Sequence, residues 1–184
     1  MLQSGNLKTG IFLDRDGVIN KAIVRNGIPY SPREKVDFEI LEGVKDALEI
    51  LHKSEILPVV ITNQPDVSRG FISEEIVEWQ HSKLKEVLGI EHFYICYHDD
   101  SDLCNCRKPK IGLIKEASQQ LNIVIERSYL VGDRWRDIQA GQEAGCTCFF
   151  IDYRYGEKQP HPPFYTVSSL IEAVRIITGG TYDK

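Results

Sequence analysis

Short apolar runs at residues 10–13, 57–61, 93–97, 129–131 and 147–151 are separated by stretches with helical periodicity. That alternation is what successive βα units around a parallel sheet produce. Val44, Leu48 and Leu51 form one apolar stripe, and Ile76, Trp79, Leu84 and Leu88 a second. Ile111, Ile114 and Leu121 predict a third helix, residues 138–144 a short fourth and residues 167–177 a last one, with the terminal GGTYDK frayed. Residues 20–38 hold Gly27, Pro29 and Pro32, and read as a long loop after the first strand. No repeat, low-complexity tract or linker divides the chain, so the expectation is one doubly wound α/β domain over residues 1–184.

Composition narrows the function. A net charge of −5 over 184 residues, with no basic run, argues against a nucleic-acid partner. It leaves room for an anionic substrate, because a few Lys and Arg suffice to make one pocket positive. No apolar run nears the ~20 residues that cross a bilayer, and the N-terminus lacks a signal-type segment. The chain reads as a cytoplasmic protein, by default a monomer.

An odd count of five cysteines is poor evidence for a disulfide framework. Cys96, His98, Cys104 and Cys106 fall in one segment, ICYHDDSDLCNCRKP, as C-x-H, five residues, then C-x-C. Four such ligands in one loop suit a closed tetrahedral zinc site, which is structural rather than catalytic. Cys146 and Cys148, in GCTCFFID, fit a core strand.

Open α/β sheets bind ligands at the carboxyl ends of their strands. Here those ends carry Asp14-Arg15-Asp16-Gly17, Thr62-Asn63-Gln64 and Gly132-Asp133, while Lys108 precedes a helix after the cysteine loop. Carboxylates two apart share one side of an extended backbone. Asp14 is placed to attack phosphorus and Asp16 to handle the leaving-group proton. Gly17 permits a sharp turn. A carboxylate nucleophile facing a phosphate needs a shielding cation, and hard oxygen ligands from Asp14, the Asp16 carbonyl and Asp133 suit Mg²⁺. Thr62 and Lys108 would hold phosphoryl oxygens. The expected reaction passes through an aspartyl-phosphate that water, activated by Asp16, cleaves.

FLDRDGVIN, ITNQ, CRKPKIGL and VGDRWRDIQAG resemble the four ordered motifs of the haloacid-dehalogenase-like phosphohydrolases. With Cys96, His98, Cys104 and Cys106 beside them, the resemblance narrows to the heptose-bisphosphate and histidinol-phosphate phosphatases. It spans roughly residues 10–152. It implies Asp14 as nucleophile, Asp16 as general acid/base, Thr62 and Lys108 as phosphoryl ligands, Asp133 as magnesium ligand and a zinc-bound loop in place of a large cap. It further implies that Arg107 and Asn63 contact substrate. Asp137 is expected to orient Lys108 or a metal water.

The substrate cues conflict. NQPDVSRGFIS resembles the heptose-type pattern through Arg69 and Gly70, and Arg69 would clamp a distal phosphate. Pro65-Asp66 departs from that pattern and adds negative charge. The short loop with Asp99, Asp100 and Asp102 points instead to a cationic substrate such as histidinol phosphate. The positional match of Arg69-Gly70 outweighs loop length, so D-glycero-D-manno-heptose 1,7-bisphosphate is the expected substrate. A receiver domain would carry its acid pair elsewhere, a polynucleotide 3′-phosphatase would need a basic groove, and a phosphotransferase would release no phosphate. His81 is expected on a solvated helix face and His161 in a surface loop; Trp135 either lines the pocket or packs at a helix start.

Overall fold

The computed structural model describes residues 6–179, so all but the first residue of the GGTYDK end lies outside the described residues. Six parallel strands form one sheet: β1 (Thr9–Leu13), β4 (Ile56–Asn63), β5 (His92–Cys96), β6 (Tyr129–Gly132), β7 (Thr147–Ile151) and β8 (Tyr165–Val167). Their order is β5-β4-β1-β6-β7-β8, which places the first strand in the interior. Five helices cover the sheet: α1 (Val44–His52), α2 (Glu74–Leu88), α3 (Gly112–Leu121), α4 (Trp135–Ala144) and α5 (Leu170–Ile177).

Alternation along the strands divides the core in two. Ile11 and Leu13 of β1 join Val60 and the buried faces of α1, α2 and α5. Phe12 joins Val59, Ile61 and the buried faces of α3 and α4. Successive side chains of a strand point to opposite faces, so a sheet packed on both sides reads as an unbroken apolar run.

Two expectations change. The 20–38 loop holds a short antiparallel hairpin, β2 (Ile23–Arg25) with β3 (Ile28–Tyr30), turned at Asn26 (φ 51°) and Gly27 (φ 77°). An Asn-Gly pair with both φ values positive suits the two-residue turn that matches strand twist. The stripe of α2 is offset as well: its buried residues are Val77, Gln80, His81, Leu84 and Leu88, with Ile76 and Trp79 only partly covered. His81 is therefore not solvated; only 7% of it is exposed. No cap domain is present among the described residues.

Candidate active site

Register brings the motifs together. Leu13 of β1 pairs with Val60 of β4 and with Val131 of β6, so Asp14, Thr62 and Asp133 emerge at neighbouring strand ends. The Asp14 amide donates to the Val131 carbonyl at 3.0 Å. The chain then turns within a few residues, with the Arg15 carbonyl accepting from the amides of Val18, Ile19 and Asn20. Gly17, at φ +90°, makes the turn possible: a Cβ there would lie 1.9 Å from Asp133 Oδ2. Only glycine combines that backbone with that approach.

Lys108 is 2% exposed and its Nζ donates to Asp14 Oδ1 (2.7 Å) and the Ile61 carbonyl (2.8 Å), while pairing with Asp137 Oδ1 (2.7 Å). Burial would discharge the ammonium, but Asp137 and Asp14 outweigh that and hold its pKa above the usual lysine value. Asn63 clamps the Lys108 backbone, accepting from its amide and donating to its carbonyl, each at 3.1 Å. Asn63 thus also positions the lysine.

Asp14, Asp133 and Asp137 each present an oxygen within 4.8 Å of the others. Asp137 is occupied, by Lys108 on one oxygen and the Arg134 amide on the other. Asp133 is buried with neither carboxylate oxygen hydrogen-bonded, although the Tyr155 hydroxyl comes close enough to influence it. Burial first, then Asp14 and Asp137, push its pKa well above the usual carboxylate value. Burial likewise lifts Asp14 from 3.8 to about 6, with Lys108 opposing. Orphaned buried carboxylate oxygens facing a second carboxylate are the donor set a hard divalent cation fits.

Asp16 is differently placed. Its carboxylate accepts from Arg15, Asn20 (2.9 Å), Ser31 (2.7 Å) and Gln64 (2.8 Å). Burial works to raise its pKa, but Arg15 and these donors win and keep it low. Gln64 also donates to Thr62 Oγ1 at 2.8 Å, leaving the threonine hydroxyl hydrogen for another acceptor. Arg15 is fully buried and its Nη1 meets His81 Nε2 at 3.2 Å. Burial first, then Arg15, depress His81 to about 3, so it is a neutral acceptor. Sequence reasoning missed Ser31, Gln64 and His81 as supports of Asp16; a polar pair, Gln80-His81, on the core face of α2 was the available signal.

In the cysteine loop, Cys96 Sγ lies 3.7 Å from Cys104 Sγ, 3.2 Å from Cys106 Sγ and 3.6 Å from His98 Nδ1. Cys106 Sγ is 3.3 Å from His98 Nδ1. A tetrahedral zinc shell would set S···S near ~3.8 Å and S···N near ~3.6 Å. Two of these four distances match that shell, the two to Cys106 are shorter, and all four ligand atoms lie within 4.8 Å of one another. All five cysteines are free, and Cys148 lies buried in β7.

The residues expected to meet substrate, Arg69 and Arg107, line one cleft with Asp66 and Asp100. Arg69 makes a two-point contact with Asp99 and also faces Asp66, which Arg33 holds at 2.8 Å. Arg107 Nε reaches Asp100 at 2.8 Å. Asp66 is 4% exposed and paired, so it is no free charge at the entrance. Trp135 carries the Lys158 ammonium 3.5 Å above its ring, and His161 is exposed as expected.

A buried lysine, an acid paired with it at the end of an interior strand and an orphaned carboxylate that fits a cation are the parts that phosphoryl transfer calls for. Residues 22–145 match the haloacid dehalogenase-like hydrolase family. The chain is 36% identical over 150 residues to D-glycero-beta-D-manno-heptose-1,7-bisphosphate 7-phosphatase of Haemophilus ducreyi, covering 75% of this chain and 79% of that one. It is 32% identical over 194 aligned positions to the alpha-anomer 7-phosphatase of Photorhabdus laumondii, covering 93% and 100%. The crystal structure of D,D-heptose 1,7-bisphosphate phosphatase from B. bronchiseptica, complexed with magnesium and phosphate, superposes with a TM-score of 0.81 at 23% identity, covering 94% of this chain and 99% of that one. The chain belongs to the haloacid dehalogenase-like hydrolase family and is a phosphatase.

Proposed function

We propose that the protein hydrolyses the 7-phosphate of D-glycero-D-manno-heptose 1,7-bisphosphate. The observation that carries the choice is the state of the acidic loop. Asp99 is paired with Arg69, Asp100 with Arg107 and Arg136, and Asp102 accepts from the Asp99 amide at 2.7 Å. Asp99 and Asp100 are matched by arginines rather than free to recruit an ammonium, which weakens the cue that favoured histidinol phosphate. The cleft they border is instead rich in arginine, which suits a second phosphate. The relatives named above act on both anomers, so the anomer is to be decided by assay.

In this mechanism an Asp14 oxygen attacks phosphorus while the bridging oxygen leaves, taking its proton from Asp16. The product is an aspartyl-phosphate on Asp14. Asp16, now ionised, takes a proton from water as that water attacks the phosphorus, returning Asp14 and releasing phosphate. Lys108 and Thr62 hold the phosphoryl oxygens through the change in charge. Mg²⁺, held by Asp14, Asp133 and the Asp16 carbonyl, would neutralise the repulsion between nucleophile and phosphate. In the resting contacts Asp16 is kept ionised, so it must exchange some of its four partners before it donates a proton.

Zinc bound by Cys96, His98, Cys104 and Cys106 would fix the loop that presents Arg107 and Lys108. No helix among the described residues is long and apolar enough to cross a membrane.

The test is kcat/KM for phosphate release from both anomers of the bisphosphate and from histidinol phosphate, with Mg²⁺. A preference of about a hundredfold for a heptose substrate is expected, the scale of a well-paired second phosphate. Preference for histidinol phosphate would overturn the substrate and keep the chemistry. Asp14→Asn in the same assay should lose about a thousandfold or more in kcat.

A further inference from the structure

The inner cavity at Asp14, Asp16 and Lys108 opens into an outer cleft of about 260 Å³, and Asn63, Arg134 and Arg136 line both. The arginines of the rim are not equally satisfied. Arg134 is paired with Glu157, and Arg33 and Arg69 are balanced by Asp66 and Asp99. Arg107 and Arg136 share a single oxygen: Asp100 Oδ1 lies 2.8 Å from Arg107 Nε and 3.2 Å from Arg136 Nη1. Two cations on one carboxylate leave a surplus positive charge at that point of the cleft. A phosphate dianion in the carboxylate's place would cancel it.

We propose that Asp100 is a built-in stand-in for the distal phosphate of the substrate, and that Arg136, with Arg107, binds that phosphate when it displaces the carboxylate. This rests on the bisphosphate reading above. The two arginines are braced independently of Asp100. Arg107 Nη1 donates to the His98 carbonyl at 3.3 Å, and the Arg136 guanidinium sits 4.7 Å from the centre of the Trp135 ring. Both therefore stay in place when the carboxylate leaves. Asp100 itself is more than half exposed, on a single 3-10 turn (Asp100–Asp102), so releasing it to water costs little. Holding the two guanidiniums together at one point of the cleft before substrate arrives reduces the ordering cost of binding. Asp100 thus competes with the distal phosphate for the two guanidiniums, and its removal acts on binding rather than on the chemical step.

The experiment compares kcat/KM for heptose 1,7-bisphosphate and heptose 7-phosphate in wild type, Asp100→Ala and Arg136→Gln. The ratio of the two should fall about tenfold in Arg136→Gln, the scale of one charge-assisted hydrogen bond. In Asp100→Ala, KM for the bisphosphate should fall about threefold or more while kcat holds, the scale of one exposed ion pair. If wild type turns over the bisphosphate but Arg136→Gln scales both substrates equally, the distal-phosphate role is overturned. If Asp100→Ala leaves KM unchanged or raises it, the stand-in is overturned. A wild type inactive on the bisphosphate would overturn the substrate reading itself.

Discussion

Lys108 Nζ lies 2.7 Å from an oxygen of Asp14 and 2.7 Å from an oxygen of Asp137, on a side chain almost closed to water. One cation thus holds Asp14, the proposed nucleophile, and Asp137 together at the end of an interior strand. Asp133, the remaining carboxylate of the group, has no such partner.

Replacing Lys108 by Met keeps the side-chain bulk and removes the charge. Asp14 and Asp137 then stay buried without their counter-ion, and breaking a buried pair this way costs about 3–5 kcal/mol. Lys108→Met should lower Tm at pH 7.5, and less so near pH 5, where the acids can take up protons. Loss of phosphoryl stabilisation should also cut kcat by about 10²–10³. Equal Tm for wild type and variant at neutral pH would contradict this account.

The orphaned carboxylate gives a pH signature. Asp14, lifted from 3.8 to about 6, is harder to ionise folded than unfolded, and burial with its acidic neighbours raises Asp133 in the same direction. Such acids favour the fold below their unfolded pKa and lose that advantage as pH rises through the folded one. Without metal, Asp14 therefore withdraws stability between about pH 4 and 6, and the raised Asp133 acts with the same sign. Asp133→Asn should raise the Tm of the metal-free protein at pH 7.5, by about 2–4 °C per kcal/mol recovered. It should also abolish the Tm increase that Mg²⁺ gives wild type, and abolish turnover. Scanning calorimetry with and without Mg²⁺ checks both; an unchanged Mg²⁺ response in the variant would remove Asp133 from the cation site.

Much of this was legible before any coordinates. The apolar runs marked five of the six strands of the sheet, and the polar tokens at their ends converge as expected because parallel strands deliver their carboxyl ends to one side. β8 was missed for a physical reason: it has three residues, two of them exposed, and so no apolar run to detect. The β2–β3 hairpin was signalled by Asn26-Gly27 but is too short to show alternation. Charge neutralisation is where sequence reasoning failed. Asp66, Asp99 and Asp100 look like free negative charge in the string and are paired in space with arginines remote along the chain or across the loop. His81 was misassigned because its partner, Arg15, is 66 residues away.

The cysteine loop predicts a stability and activity effect separable from Mg²⁺. Cys104→Ser should weaken the tetrahedral shell, free Arg107 and loosen the backbone that carries Lys108. Zinc content by mass spectrometry should fall, with lower Tm and a higher KM, and added Mg²⁺ should not restore either. Retained KM in a protein shown to be zinc-free would mean that the loop holds its arginine without metal.

His81 reaches Asp16 only through Arg15, yet it has an expected kinetic effect. Its ring stacks on Phe93 with centroids 4.8 Å apart, which fixes Nε2 toward the buried Arg15 guanidinium. Arg15 in turn is the strongest influence keeping Asp16 ionised against its burial. His81→Ala leaves an Arg15 N–H without its acceptor and loosens the guanidinium, so Asp16 should become easier to protonate. In the proposed mechanism Asp16 is ionised when it activates the hydrolytic water, and the acidic limb of kcat should therefore move to higher pH, by about half a unit to one unit, while KM changes little. His81→Gln, whose side-chain oxygen can accept from Arg15, should move the limb back toward wild type. A purely structural role would lower Tm in both variants and leave the limb where it was; that result would detach His81 from the chemistry and leave Asp16 controlled by Arg15, Asn20, Ser31 and Gln64 alone.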